Sequence, residues 1–159
     1  MKKFKFLKIS KSKKLRYISN YYKKNLYIIF LPGFASDIEG DKPKRFLNYA
    51  KKNKLGFVCF ECRGHGKSTG KFEDFTISDW KKDLIDIIDN ITTGPQILIG
   101  SSMGGWLMFL AAKARASRVA GMIGLAAAPD YIDEFYTNLS SKKKRELNNK
   151  GIIQYSSYG

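Results

Sequence analysis

The chain has 159 residues, a net charge of +15, and a composition that is 43% hydrophobic and 14% aromatic. Such a composition is typical of one folded globular domain and excludes a disordered chain. No run reaches the roughly 18 apolar residues of a membrane span, and the basic N-terminus lacks the apolar segment of a signal peptide. We therefore expect a cytoplasmic protein with no transmembrane segment.

Apolar runs alternate along the chain with segments of helical periodicity. Two short N-terminal strands are predicted at 4–9 and 15–19, as an antiparallel pair around a Ser/Lys turn. Further strands are predicted from apolar runs at 26–31, 56–62, 96–101 and 119–128. Helices are predicted at 41–53, 76–91 and 103–114, and polar helical segments follow Pro129. This alternation predicts an α/β fold, with a mostly parallel sheet covered by helices on both faces.

The positive charge comes mainly from lysines that are spread over several of these elements. The first 25 residues contain no acidic side chain, and Lys142–Arg145 form a second basic cluster. We expect a solvated lysine-rich surface and no specific nucleic-acid partner. The alternative, binding to nucleic acid or a membrane surface, predicts an affinity that falls steeply with salt.

Cys59 and Cys62 have C-x-x-C spacing, but they lie in a predicted strand rather than at the start of a helix. Side chains three residues apart on a strand point to opposite faces, and no second cysteine pair completes a zinc site. Buried, reduced thiols are therefore the prediction.

A serine among glycines follows the apolar run at 96–101. Gly100–Gly104 reads G-x-S-x-G, a pattern in which the central serine occupies a tight turn between a strand and a helix. This register selects Ser102 as a nucleophile, whereas Ser101 belongs to the strand. The turn also begins a helix, so the N–H of Met103 is a candidate donor to an oxyanion.

A second oxyanion donor is expected from the loop after the strand at 26–31. That loop reads LPGFASD, in which Gly33 permits the turn and the amide of Phe34 would face Ser102. An ordinary Pro-Gly turn at the end of a strand is the alternative.

The segment CRGHGKSTG contains the one histidine of the chain, His65. A phosphate-binding loop would need glycine at position 61, which is Glu61 here, so we exclude that function. A histidine between glycines after a strand is usually a turn residue. We expect that role for His65, with catalytic base as the alternative.

Together these segments resemble the α/β-hydrolase superfamily. The segments that carry the resemblance are LPGFASDIEGDK (31–42), RGHGKSTGKFED (63–74), ILIGSSMGGW (97–106) and RVAGMIGLAAAPDYIDEF (118–135). Within the superfamily, the chain is similar to bacterial serine hydrolases related to the mitochondrial abhydrolase-type palmitoyl-protein thioesterase. The resemblance implies hydrolysis of small-molecule or acyl esters or thioesters through an acyl-enzyme, without metal or cofactor. It assigns Ser102 as nucleophile and the amides of Phe34 and Met103 as oxyanion donors.

The catalytic triad of that superfamily runs Ser, Asp or Glu, then His along the chain, but no histidine follows Ser102. Asp130 is a weak candidate for the acid, because it resembles a residue at the entry to a cap. We therefore expect a hydrolase core over 1–129 and an incomplete cap over 130–159, with the last strands, the acid and the base absent from this chain. The alternative is a non-catalytic remnant that binds acyl groups without turnover.

Overall fold

The computed structural model describes residues 4–22 and 26–154, which contain a six-stranded sheet. The strands are β1 (Lys5–Lys8), β2 (Lys14–Asn20), β3 (Tyr27–Leu31), β4 (Gly56–Phe60), β5 (Gln96–Ser101) and β6 (Val119–Leu125). The helices are α1 (Asp41–Lys52), α2 (Ile77–Ile91), α3 (Met103–Ala114), α4 (Tyr131–Asn138) and α5 (Ser141–Lys150). Short 3-10 turns occupy Phe72–Asp74 and Ala116–Arg118. The chain divides into two compact units, 1–128 and 129–159.

The strand order is β1-β2-β4-β3-β5-β6. Strands β3, β4, β5 and β6 are parallel, and the β1–β2 hairpin joins β4 in antiparallel orientation. The carboxyl ends of parallel strands meet at one edge of a sheet, where open α/β folds place their ligands. This topology brings the loops after β3, β4 and β5 to the same edge.

Strand β3 lies in the centre of the sheet and is buried along its whole length. Its side chains alternate between two apolar layers, as expected for a strand covered on both faces. Ile28 and Phe30 pack in the layer of α1, while Ile29 and Leu31 pack in the layer of α2 and α3. The predicted fold class is therefore confirmed.

Most predicted elements agree with the structure to within one or two residues. The start of α2 is also as predicted, because the Thr76 hydroxyl accepts from the Asp79 amide and the Asp79 carboxylate accepts from the Thr76 amide. Two strands are shorter than predicted. Strand β4 ends at Phe60, before a buried glutamate, and β6 ends before Ala126, whose φ of 48° leaves the extended region.

The two cysteines are buried thiols that lie in different layers. Cys59 belongs to the layer of α1, and Cys62 lies beyond the end of β4 in the layer of α2 and α3. Burial is the main cause that raises the pKa of the Cys62 thiol well above its ordinary value. The C-x-x-C spacing therefore does not form a redox pair.

A buried ion pair attaches the N-terminal hairpin to the parallel strands. Arg16 on β2 and Glu61 after β4 are 4% and 1% exposed, and Arg16 donates to the Glu61 carboxylate over 3.1 Å. The second Glu61 oxygen accepts from the Lys67 amide at 2.7 Å, and Arg16 also pairs with Glu39 at 2.6 Å. Because every charged oxygen of Glu61 has a donor, the cost of its burial is offset.

A second buried carboxylate, Asp83 on α2, binds the turn that follows β4. It is fully buried and accepts from the Arg63 amide at 2.9 Å and the Arg63 guanidinium at 2.8 Å. Lys13 contributes a further ion pair at 2.9 Å. Helix α2 thus holds the turn over 63–70 by charge as well as by apolar packing.

The unit over 129–159 contains α4 and α5. The hydroxyl of Ser140 caps α5 by accepting from the Lys143 amide, and α5 ends at Gly151 with a φ of 71°. Tyr131, Phe135 and Leu139 contribute to the wall of a 440 Å³ cleft within this unit. The last part of the expected cap region, 155–159, lies outside the described residues. Over 4–22 and 26–154, no helix is long and apolar enough to span a bilayer.

The buried ion pair allows a test of the fold. We expect Arg16→Met to lower the free energy of unfolding by about 3–5 kcal/mol, because Glu61 would keep its charge in the interior without its partner. The measurement is equilibrium unfolding in urea. Arg115→Met is the matched control: Arg115 pairs with Asp89 at 2.7 Å, but both side chains are more than one third exposed. Equal losses in the two variants would contradict the structural role of the buried pair.

Candidate active site

Ser102 occupies a strained turn between β5 and α3. Its φ of 51° and ψ of −120° lie outside the regions that non-glycine residues normally adopt. Such strain persists only where surrounding contacts enforce it, and it is concentrated at functional sites. Here the Ser102 amide donates to the Leu125 carbonyl at 3.0 Å, and the Ser102 carbonyl accepts from the Gly105 amide at 2.8 Å. The turn is therefore fixed on both sides.

Two positions of the motif, Gly100 and Gly104, require glycine for steric reasons. A Cβ on Gly100 would lie 2.5 Å from the Gly104 oxygen, and a Cβ on Gly104 would lie 2.2 Å from the Leu31 oxygen. Real Cβ atoms do not approach other atoms this closely, so side chains at either position would separate α3 from the sheet. The glycines therefore let helix and strands approach, and this approach produces the elbow.

The two serines of the motif have different surroundings. Ser102 is exposed, and its hydroxyl has no hydrogen bond to any residue of the described part of the chain. Ser101 is 7% exposed, and its hydroxyl accepts a hydrogen bond of 3.2 Å from the ammonium group of Lys42. The geometry therefore leaves Ser102, and not Ser101, open to a substrate.

The loop after β3 lies against the elbow. A Cβ on Gly33 would be 3.3 Å from the Ser102 Cβ and 3.9 Å from the Ser102 Oγ. Within the described residues the amide of Phe34 has no acceptor, and Met103 begins α3, where the first N–H groups of a helix lack internal partners. In the described part of the chain, the two amides predicted as oxyanion donors thus have no acceptor, and their role stays a prediction.

Four aromatic rings connect this loop to the turn after β4. Phe34 contacts Phe72 edge-on with ring centroids 4.8 Å apart, and Phe72 contacts His65 at 5.2 Å and Trp80 at 5.3 Å. His65 also contacts Trp80 at 5.1 Å. Edge-to-face ring contacts add stability beyond area burial. Phe34 nevertheless remains 50% exposed, so it presents an apolar surface beside the elbow.

His65 is buried inside this aromatic group, at 5% exposed. Its Nδ1 lies 3.2 Å from the Arg63 carbonyl, and its Nε2 has no hydrogen-bond partner in the described part of the chain. Burial is the main cause that lowers the pKa of His65, against the opposing effects of the Arg63 carbonyl, Glu61 and Asp83. His65 lies in a turn, as predicted, and it has no hydrogen bond to Ser102.

No carboxylate or imidazole among residues 4–22 and 26–154 is hydrogen-bonded to Ser102. Asp130 is the residue before α4 and belongs to the unit over 129–159. Sequence reasoning missed the bond from Lys42 to Ser101, because Lys42 is one of many lysines and no local pattern distinguishes it. It also missed the burial of Glu61 and Asp83.

A sheet with parallel central strands and a strained, exposed serine at a strand-to-helix turn defines the architecture of the α/β hydrolases. The chain belongs to the α/β hydrolase fold family, whose sequence profile matches residues 27–146. The predicted family is thereby confirmed.

Curated mammalian proteins are similar to this chain. The human protein named "Palmitoyl-protein thioesterase ABHD10, mitochondrial" is 42% identical over 127 residues, which are 79% of this chain and 41% of that protein. The bovine protein of the same name is 40% identical over 125 residues, with 79% and 41% covered. The chain thus spans about two fifths of the length of the curated relatives it matches.

Solved structures agree with this relationship. Alpha/beta hydrolase domain-containing protein 10 from mouse superimposes with a TM-score of 0.88 and 36% identity, over 98% of this chain and 62% of that one. A putative hydrolase from Agrobacterium vitis S4 superimposes with a TM-score of 0.84 and 27% identity, over 100% of this chain and 65% of that one.

The lowered pKa of His65 predicts a pH dependence of stability. As pH falls through the ordinary histidine pKa near 6.5, the unfolded chain takes up a proton before the folded chain does. The stability contributed by neutral His65 is therefore complete above that pH and is lost as pH falls toward the lower folded pKa. We expect the urea midpoint of the wild-type chain to decrease more than that of His65→Gln between about pH 7.5 and about pH 5.5. Parallel decreases would contradict the prediction.

Proposed function

We propose that this chain carries the nucleophile and the oxyanion site of a serine hydrolase that cleaves carboxylic esters or thioesters through an acyl-enzyme at Ser102. The observation that supports this most directly is the strained backbone of Ser102 together with its exposed hydroxyl. The combination of φ 51° with ψ −120° is unfavourable for any residue with a side chain, so a plain glycine-rich turn would carry glycine rather than serine at this position.

In the proposed reaction, Ser102 Oγ attacks the carbonyl carbon of the substrate and loses its proton to a general base. The amides of Phe34 and Met103 donate to the negatively charged oxygen of the tetrahedral intermediate. The C–O or C–S bond then breaks, a protonated alcohol or thiol leaves, and water hydrolyses the acyl-serine to a carboxylic acid. One oxyanion donor typically contributes about 10²–10³-fold to the rate.

The general base is proposed to be a residue outside these 159. A serine hydroxyl is a weak nucleophile until a base accepts its proton. The one histidine of the chain is buried between Phe72 and Trp80 and accepts no bond from Ser102. A role for His65 in the shape of the turn, rather than in proton transfer, agrees best with this environment.

A long apolar acyl thioester is the substrate class that we propose. The exposed ring of Phe34 offers apolar surface next to the nucleophile, and the mammalian relatives are named palmitoyl-protein thioesterases.

The location of the protein remains a proposal. We propose a cytoplasmic location, although the same mammalian relatives are named mitochondrial. We also propose that the basic surface has no specific nucleic-acid partner.

A second candidate is a protein that binds acyl groups without turnover. The observation that favours it is the absence of any histidine after Ser102. The two candidates differ in a measurable way, because only the hydrolase requires Ser102 to become covalently modified.

The first test concerns the choice of serine. We expect Ser102→Ala to abolish covalent labelling by a fluorophosphonate probe, because it removes the attacking oxygen. Ser101→Ala should keep the labelling rate within about tenfold of wild type, since Ser101 only supports the elbow. Intact-mass spectrometry and the labelled peptide identify the site. Loss of labelling in Ser101→Ala with retention in Ser102→Ala would overturn the assignment.

The second test concerns the base. We expect the 159-residue chain alone to react with the probe only slowly, at least about 10²-fold slower than the same chain fused to the C-terminal part of the mouse relative, because a general base typically contributes that much. The readout is the pseudo-first-order labelling rate of both proteins. Rapid, stoichiometric labelling of Ser102 in the 159-residue chain would mean that a base lies within it.

A further inference from the structure

The segment from the end of β3 into the first turn of α1, residues 32–42, approaches Ser101 at both of its ends. At its start, a Cβ on Gly33 would lie 3.3 Å from the Ser101 carbonyl oxygen. At its end, Lys42 in the first turn of α1 donates to the Ser101 hydroxyl at 3.2 Å. Phe34, the proposed oxyanion donor, lies between these two contacts.

The ammonium group of Lys42 bonds to a hydroxyl and not to a carboxylate. Among the described residues, no carboxylate lies within 4.0 Å of its ammonium group. The acidic side chains of the same loop are engaged elsewhere: Asp37 accepts from the Glu39 amide, Glu39 pairs with Arg16, and Asp41 pairs with Lys44. The ammonium group of Lys42 is thus directed to the hydroxyl of Ser101, a residue that is 7% exposed and adjacent to Ser102.

The remaining part of the loop is anchored away from the elbow. Ile38 is fully buried in the layer of α1, and Glu39 is held by Arg16 on β2. The segment nearest Ser102 is held by bonds from the Ser36 amide to the Gly33 carbonyl at 3.2 Å and from the Ser36 hydroxyl to the Phe34 carbonyl at 3.3 Å, and by the ring contact of Phe34 with Phe72. The bond from Lys42 to Ser101 adds a direct link from the first turn of α1 to the end of β5, the strand that leads into the elbow.

We infer that Lys42 is a positioning residue for the oxyanion site, and that its hydrogen bond to Ser101 fixes the loop that carries Phe34 against the elbow. The inference rests on the proposed roles of Ser102 and Phe34. Oxyanion donors act only when they are held at the position that the developing charge will occupy, and small displacements of a catalytic group reduce the rate strongly. Loss of the bond from Lys42 to Ser101 should therefore slow acylation while it leaves probe binding nearly unchanged.

The first measurement does not use reactivity. Amide hydrogen exchange of the 159-residue chain should become about three- to tenfold faster at Ser36 and Glu39 in Lys42→Met, with the central amides of β3 and β5 unchanged. Ser101→Ala should give the same change, because it removes the acceptor. Lys44→Met is the matched control, since Lys44 lies two residues away and pairs only with Asp41. Unchanged exchange in both Lys42→Met and Ser101→Ala, or an equal change in Lys44→Met, would overturn the inference.

The second measurement separates reactivity from binding. Saturation kinetics with the fluorophosphonate probe should show a maximal labelling rate reduced by about three- to tenfold in Lys42→Met, with the half-saturating probe concentration unchanged. Lys42→Arg should restore the rate, because it returns a cationic donor, and the double variant Lys42→Met/Ser101→Ala should be no slower than either single variant. A change confined to the half-saturating concentration would overturn a positioning role. If Ser102→Ala were labelled as fast as wild type, the proposed function would be wrong. The hydrogen-exchange measurement would still show whether the bond from Lys42 to Ser101 fixes the loop.

Discussion

The close approach of α3 to the ends of β3 and β5 is the constraint on which the rest of the site depends. Gly104 passes so near the Leu31 oxygen that no side chain fits between them, and Gly100 faces the first turn of the helix in the same way. The residue that joins strand to helix over so short a path must leave the allowed regions of backbone space. That residue is Ser102, so its strain, its exposure and its position beside the first N–H groups of α3 have one origin. The packing energy of the helix holds the serine in place before any substrate binds.

The elements that form this constraint could be predicted because their signals are local. Gly, Ser and Gly at fixed spacing between an apolar run and a helical segment indicate one kind of turn, and α3 spans Met103–Ala114, the residues predicted for it. The Thr76–Asp79 capping box is equally local and correctly marks the start of α2. The two apolar layers of the core could also be predicted, because successive side chains along a strand such as β3 point to opposite faces of the sheet.

Features that depend on distant pairs could not be predicted. The apolar run at 56–62 contains a glutamate that looks like an interruption, and only the partner on β2, 45 residues earlier, explains why it is buried. Asp83 falls on the apolar face of α2 for the same reason, since its partners lie in the turn after β4 and before β2. Strand β6 ends before Ala126, which has a positive φ, and alanine is not a residue type for which a positive φ is expected. Residue types alone do not report such pairings.

The same distinction applies to the chemistry of the site. The glycine-flanked serine turn and the loop after β3 are encoded by a few neighbouring residues, so both are present in a chain that matches about two fifths of its mammalian relatives. Proton transfer in this superfamily depends on groups that approach from later in the chain. The local turns could therefore be predicted from the sequence, whereas the pairing of the serine with a distant base has no local signal.

The two buried thiols can report separately on the two helical layers that cover the sheet. Cys59 lies under α1, and Cys62 lies on the opposite side of the sheet, near α2. Thiolates react with alkylating agents, and a buried thiol reacts only when its surroundings open. The alkylation rate of each cysteine in the native protein, measured on its own peptide, thus reports how often the helical layer over that cysteine opens. No engineered label is needed. Equal rates at the two positions would indicate that the layers separate from the sheet in one event, and unequal rates would show which layer opens first.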